Sequence, residues 1–264
     1  MLTDLFTALG DYVIVIALSV TRIAVAFLLL PLFSSETIPA LVRNAIYLSL
    51  AMIAVVVQPE LPTETVATAL WINLFVKEVF IGVVVGVLFG VFLWAFEAAG
   101  VLIDTQIGTS FAMLFDPIAG NEVTLFGEFL GRWANYLFVA AGGLLVIAGV
   151  LLESFAIWPL LQPVDSLREL SVSLFEAELS RFMKLTLMIA SPVMVVIFLI
   201  DISMGLINRF AQQFNVFFLS ISIKSMAALI LIAILLPFLV GKLLGEIDTQ
   251  ALRVELWLAR ILQQ

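Results

Sequence analysis

Long runs of apolar residues, separated by short polar connections, make up most of this 264-residue chain. About 20 apolar residues in a helix span the hydrocarbon core of a bilayer, and six runs approach or exceed that length. The runs lie at residues 12–33, 40–57, 66–96, 129–152, 182–207 and 216–240. The pattern predicts an all-α, membrane-associated protein with six hydrophobic elements.

The third run, of about 31 residues, is longer than one straight span requires. Because Lys77 and Glu78 interrupt it, it predicts either two shorter helices or one long helix that leaves the membrane plane. Residues 159–181 are polar and helix-like, with two prolines at the start. They predict a boundary between an N-terminal portion, residues 1–175, and a C-terminal helical hairpin with an amphipathic tail, residues 176–264.

The composition narrows the classes of function. Hydrophobic residues make up 63% of the chain and charged residues 12%, against about 25% charged residues in soluble domains, which excludes a soluble enzyme. Histidine and cysteine are both absent, so imidazole and thiol catalysis and sites built from these ligands are excluded. With 12 dispersed basic residues and a net charge of −8, no nucleic-acid partner is expected. We therefore expect no enzymatic activity, metal or cofactor.

Six charged residues lie where lipid would penalise them, since an arginine at the centre of a membrane helix costs roughly 2.5–3.5 kcal/mol on insertion scales. Two interpretations are open. The charges pair with one another or with backbone carbonyls inside a helical assembly, or they form an ion or proton pathway. The second interpretation underlies an alternative function, an ion-coupled secondary transporter that uses Asp104, Asp201 and Lys224. The six residues are Arg22, Lys77, Glu78, Asp104, Asp201 and Lys224.

Three glycines, Gly82, Gly86 and Gly90, lie four residues apart in the third run. This spacing places them on one helix face and lets another backbone approach closely. The series predicts tight helix packing, within the chain or with a partner.

Residues 104–122 mix bulky apolar side chains with helix breakers. Irregular backbone at membrane depth is tolerated only inside protein or along a water-filled cavity, where flexible Met side chains fill irregular gaps. The segment is therefore either a deformable seal or an ordinary surface or interfacial loop.

Four short stretches carry a resemblance that covers nearly the whole chain. They are Arg22 with Pro31-Leu32-Phe33 and Ile38-Pro39-x-x-Val42-Arg43; Lys77-Glu78-x-x-x-Gly82-x-x-x-Gly86; Gly100-x-x-x-Asp104-x-x-x-Gly108 with Asp116-Pro117; and Asn208 to Phe217, continuing to Ile223-Lys224-Ser225. In this order they resemble the FliR/SctT family, the T component of the bacterial type III secretion export apparatus and its flagellar counterpart. Ser154 to Pro159 and the fourth stretch are more similar to the virulence-type branch.

The resemblance implies an export-gate subunit of the bacterial inner membrane, part of the channel through which unfolded polypeptides are secreted. It implies that the N-terminal portion is similar to an R subunit and the C-terminal hairpin to an S subunit. The implied partners are the R and S subunits, the switch (U) subunit, the export-gate V subunit, secreted polypeptides and membrane lipid.

The resemblance also implies a role for two groups of residues. The irregular loop is implied to plug the pore, which favours the seal among the interpretations above, and the tip of the C-terminal hairpin is implied to face the switch subunit. The implied plug residues are Gln106, Ile107, Gly108, Phe111, Met113, Leu114 and Phe115, and the implied tip residues are Gln212, Gln213, Asn215 and Lys224.

Overall fold

The computed structural model describes residues 2–34, 37–57, 68–108, 124–160, 167–210 and 216–261. Regular structure in these ranges is helical, without a β-strand, which confirms the predicted all-α class. The helices are α1 (Leu2–Leu28), α2 (Ala40–Val57), α3 (Thr68–Ile107), α4 (Leu125–Ala140), α5 (Gly143–Ile157), α6 (Leu167–Phe210) and α7 (Val216–Ile261), with a 3-10 turn at Pro31–Phe33.

The third hydrophobic run is one continuous helix, α3, of 40 residues. At 1.5 Å per residue it is about 60 Å long, roughly twice the thickness of a bilayer core. The helix does not end near residue 96, where the apolar run ends, but continues to Ile107. Glu97, Ala98 and Ala99 are good helix formers, so the polarity of this part does not interrupt the helix.

Fewer helices than hydrophobic runs could cross a membrane. In the described ranges, three helices are long and apolar enough, within α3, α6 and α7, and a fourth span results if α4 and α5, bent by 67°, count as one. The apolar parts of α1 and α2, Val13–Leu28 and Ala40–Val56, are shorter. At 1.5 Å per residue they reach roughly 25 Å, less than the bilayer core of about 30 Å.

Burial distinguishes the three long helices. In α3, 72% of the apolar window is buried within the chain, compared with 33% in α6 and 22% in α7. A helix that is apolar on all sides belongs inside a protein or in lipid. The apolar surfaces of α6 and α7 are therefore left for lipid or for other chains.

The chain forms two compact units. The first unit contains Met1–Val91, Phe138–Glu178 and Glu246–Gln264, and the second unit contains Phe92–Leu137 and Leu179–Gly245. The boundary predicted between residues 175 and 176 falls inside α6, and the assignment of R-like and S-like portions stays a prediction.

Each unit has an aromatic contact in its core. In the first unit, Phe27 on α1 lies 4.6 Å from Phe33 and 6.0 Å from Tyr47 on α2, measured between ring centroids. In the second unit, Phe96 on α3 lies 6.1 Å from Trp133 on α4. These contacts fix the helices that carry the buried charges.

Candidate functional site

Arg22 forms a two-point ion pair with Glu78 in the first unit. Its Nε donates to one carboxylate oxygen at 2.5 Å and its Nη2 to the other at 3.0 Å. Both side chains are fully buried. Paired N–H···O bonds of this kind are the strongest arrangement for an arginine and a carboxylate, so α1 and α3 are joined here.

Arg22 also binds the end of α5. Its Nη1 donates to Ser154 Oγ at 3.0 Å and its Nη2 donates to the carbonyl oxygen of Trp158 at 3.0 Å. The guanidinium carbon lies 4.0 Å from the centroid of the Phe155 ring, within the range of a cation–π interaction. One side chain therefore connects three helices.

Lys77 completes this cluster. Its Nζ lies 3.1 Å from Glu78 Oε1 and donates to the carbonyl oxygens of Pro159 and Leu160, each at 2.8 Å. Arg22, Lys77 and Glu78 together carry one net positive charge. The carbonyls just beyond the C-terminal end of α5 carry partial negative charge and favour nearby cations.

Two of the glycines in the four-residue series lie beside this cluster. A Cβ atom added at Gly82 would lie 2.6 Å from the carbonyl oxygen of Arg22, and one at Gly86 would lie 2.8 Å from that of Ala26. The backbone of α1 therefore rests directly on α3, as close as glycine permits. Gly90 lies one turn further along α3 and is buried.

Asp104 joins the two helices that flank residues 109–123, in the second unit. Its Oδ2 accepts hydrogen bonds from the backbone N–H groups of Phe126 at 2.9 Å and Gly127 at 3.0 Å. These amides lie in the first turn of α4, where backbone N–H groups have no partner within the helix. Asp104, which lies on α3, therefore caps the N-terminus of α4 in the way that an N-cap side chain usually does. Its negative charge lies at the positive end of the α4 helix dipole.

Gly100 makes this bond possible. It lies one turn before Asp104 on the same face of α3, and a Cβ atom there would meet the carbonyl oxygen of Phe126 and lie 2.6 Å from the Cα of Gly127. Both contacts are with backbone, which cannot rotate away. The absence of a side chain at Gly100 therefore lets α3 approach the start of α4.

Gly108 ends α3. Its φ of +93° is in the left-handed region, which glycine adopts without strain, and its N–H donates to the carbonyl oxygen of Asp104 at 3.1 Å. The three residues of this four-residue spacing thus have three functions. Gly100 allows a close helix crossing, Asp104 caps α4, and Gly108 ends α3. The sequence reveals the spacing but not these three functions.

Lys224 on α7 connects α6 and the end of α3 in the second unit. Its Nζ lies 3.0 Å from Asp201 Oδ1 on α6 and donates to the carbonyl oxygen of Gln106 at 3.2 Å. Lys224 is buried, whereas the side chain of Asp201 is 35% exposed. No signal in the sequence joins Lys224 to Gln106, 118 residues away.

The predicted plug is described only at its beginning. Gln106 and Ile107 form the last turn of α3, with Ile107 fully buried, and Gly108 follows. Among the ranges that the structure describes, no three acidic side chains are grouped as a metal site. The predicted residues that lie outside the described ranges are Phe111, Met113, Leu114 and Phe115 of the plug, and Gln212, Gln213 and Asn215 of the hairpin tip.

A family model, described as bacterial export proteins, family 1, matches residues 13–249. The match covers both buried charge clusters and the segment between α3 and α4. The chain belongs to this family of bacterial export proteins. The resemblance inferred from the four stretches is thereby confirmed.

Curated members of the export family align with most of this chain. The secretion system apparatus protein SsaT of Salmonella typhimurium is 29% identical over 253 residues, which cover 94% of this chain and 96% of that protein. The Yop proteins translocation protein T of Yersinia pestis is 30% identical, with 81% of this chain and 82% of that protein covered. The flagellar biosynthetic protein FliR of Escherichia coli is 27% identical, with 79% of each covered.

Proposed function

We propose that this protein is an inner-membrane export-gate subunit of a type III secretion system, forming part of a channel for unfolded polypeptides. Membership of the export family over residues 13–249 is the observation that carries the proposal. The similarity to secretion and translocation proteins over 96% and 82% of their lengths supports the virulence-type branch. Helices that are long and apolar enough to cross a membrane support its location.

We further propose that the residues predicted above as the plug, from Gln106 to Phe115, close this channel. Asp104, just before the segment, binds Phe126 and Gly127, just after it. The end of α3 and the start of α4 are therefore held close together. A segment whose two ends are held in this way can be displaced by a passing polypeptide and return, while the flanking helices stay in place. The large apolar side chains in its sequence, Phe111 to Phe115, suit a seal against ions.

Assembly with other subunits is the second part of the proposal. The large apolar surfaces left uncovered on α6 and α7 support contact with R and S subunits as well as lipid. The switch subunit at the hairpin tip and the V subunit rest on the family resemblance. In this role the protein is not an enzyme, and energy for export comes from a partner or an ion gradient.

The arrangement of the charges favours this role over an ion-coupled transporter. Asp104 accepts two backbone hydrogen bonds, whereas Asp201 and Lys224 bind each other. In these positions the three side chains hold helices. An ion-binding site would instead direct the carboxylate oxygens of Asp104 and Asp201 toward a common cavity.

Co-purification tests the proposed role. The chain is expressed alone and together with the other export-gate subunits, and extracted in mild detergent. We expect a defined complex only with the partners, and loss of secretion when this subunit is deleted from the cells. A monodisperse chain that transports a solute on its own in vesicles would contradict the export-gate role and favour the transporter.

A further inference from the structure

An apolar groove with a volume of about 240 Å³ lies between α4 and α7 in the second unit. Two of the residues around it, Phe126 and Ile232, are buried. Three others, Leu125, Phe129 and Leu229, are about half exposed, so the groove is open to the surroundings of the protein. The residues that line this α4–α7 groove are Leu125, Phe126 and Phe129 of α4, and Leu229, Ile232, Ala233 and Leu236 of α7.

The groove lies in a part of α7 that is suited to a membrane. Residues 225–241, between Lys224 and Lys242, carry no charge, and the lining residues of α7 fall inside this range. Apolar cavities of about 150 Å³ in other proteins stay free of water and bind small hydrocarbons. In a bilayer, the hydrocarbon next to an open groove of this kind is the acyl chain of a lipid.

A positive charge lies one turn beyond Phe129 on α4. Leu125, Phe129 and Arg132 are spaced by four and three residues, so they share one face of the helix. The side chain of Arg132 is 81% exposed, and its Nη2 donates to Glu128 Oε2 at 2.9 Å. A guanidinium has five N–H groups, which leaves others for a second acceptor such as a phosphate. The long side chain of arginine also reaches toward the headgroup region from a helix in the membrane.

We propose that the α4–α7 groove and Arg132 form a binding site for an anionic phospholipid. One acyl chain fills the groove, where the small side chain of Ala233 leaves room for it, and the guanidinium of Arg132 binds the phosphate. Glu128 competes with the phosphate for this guanidinium and keeps binding reversible. An apolar helix of another subunit matches the groove but not the cation beside it. The site goes beyond the export-gate role and requires only that the chain lies in a membrane.

Photo-cross-linking of lipid to the assembled export-gate complex tests the site. The complex is placed in phosphatidylcholine nanodiscs that contain a small fraction of phosphatidylglycerol with a diazirine on one acyl chain, and the attached peptides are mapped after illumination. We expect cross-links at residues 125–129 and 229–236 in excess of those at exposed apolar residues of α6 such as Val195 and Phe198. The same diazirine on phosphatidylcholine should label the groove roughly fivefold less, because one basic residue favours an anionic lipid by about this factor.

Filling the groove should remove the lipid. Ala233→Phe places a ring where the acyl chain lies and should lower cross-linking at the groove at least about fivefold. Ile230→Phe is the matched control, because it adds the same ring to α7 at an exposed position outside the groove. It should leave cross-linking at the groove unchanged.

Two charge variants test the phosphate contact. Arg132→Gln should make the phosphatidylglycerol and phosphatidylcholine probes label the groove equally. Glu128→Gln frees the guanidinium for the phosphate and should raise the preference for phosphatidylglycerol roughly two- to threefold. A merely structural ion pair would make the two variants behave alike. Both side chains are exposed and their pair adds little to stability, so these variants decide if Ala233→Phe prevents assembly.

Three results would overturn the phospholipid site. Cross-links spread evenly over α6 and α7, and unchanged by Ala233→Phe, would show general contact with lipid only. A groove without lipid cross-links in the assembled complex would show that another subunit fills it. Equal labelling by the two probes in the unmodified complex would show that Arg132 binds no phosphate.

Discussion

The two groups of buried charges in this protein differ in what they bind. In the first unit, Arg22, Lys77 and Glu78 bind one another as well as a hydroxyl and three carbonyl oxygens. In the second unit, Asp104 and Lys224 each bind the end of a helix beside the proposed plug. In the first group the three charges bind one another, whereas in the second group Asp104 and Lys224 bind backbone groups at two different helix ends. We expect the first group to form a permanent junction and the second a releasable one.

The kind of partner that each charge binds is the reason why we expect the two groups to respond differently to mutation. Removing one member of a buried ion pair leaves the other charged and desolvated, which costs several kcal/mol. Loss of a bond at a helix end leaves a backbone group that water can still reach when the end opens. The first group should therefore determine whether the subunit folds, and the second whether the channel is closed.

Arg22→Met should have the largest effect. It leaves Glu78 with Lys77 alone and removes the connection to α5, so we expect a loss of roughly 3–5 kcal/mol of stability. Thermal unfolding of the co-purified complex, together with its yield, measures this. Arg132→Met is the matched control, because Arg132 pairs with Glu128 on the surface of α4 with its side chain 81% exposed, and it should leave unfolding nearly unchanged. Equal behaviour of the two variants would contradict the permanent junction.

Gly100→Ala should have the next largest effect, in the second unit. The added methyl group meets the backbone of Phe126 and Gly127 and forces α3 and α4 apart, at a cost of roughly 1–3 kcal/mol. Gly149→Ala in α5 is the control, since a Cβ atom there has open space around it and alanine favours the helix by up to about 1 kcal/mol. The melting temperatures of the two variants should therefore move in opposite directions. A Gly100→Ala complex as stable as the wild type would show that the crossing is not tight.

Asp104 variants should change stability no more than Gly100→Ala does, but they should clearly change how well the channel closes. Asp104→Leu leaves the two amides of α4 without their acceptor, which costs roughly 1–3 kcal/mol and should raise ion leak in complexes that still assemble. Asp104→Asn keeps an acceptor oxygen and should remain close to wild type in leak and secretion. The transporter alternative predicts the reverse, because an ion-coupling aspartate does not tolerate asparagine. Loss of secretion with Asp104→Asn and normal assembly would therefore contradict the capping role.

The sequence predicted the fold class and the family better than it predicted the contacts between residues. Runs of apolar residues identify membrane-type helices because lipid and the protein interior impose the same pattern. Such runs do not determine the number of membrane spans. The apolar parts Val13–Leu28 of α1 and Ala40–Val56 of α2 are shorter than a span, and α3 is longer than one. The charged residues were recognised as exceptional because burial of a charge is costly wherever it occurs.

The partners of those charges could not be predicted from the sequence. Arg22 and Glu78 are 56 residues apart, and Lys224 and Gln106 are 118 apart. Such pairs depend on which helices pack together. Backbone acceptors such as the carbonyl oxygen of Gln106 also cannot be recognised from the sequence, because every residue type has a backbone carbonyl. The close helix crossing at Gly100 could have been predicted from its four-residue spacing to Asp104, which places both residues on one face of α3.

The ion conductance of membranes containing the assembled complex, with and without residues 109–115, tests the central claim most directly. The deletion leaves Asp104, Gly108 and the start of α4 in place, so we expect the complex to assemble in normal amounts. We also expect its membrane to leak ions while the wild-type complex stays closed. A deletion complex that assembles normally and conducts no more than wild type would contradict the assignment of this segment as the plug.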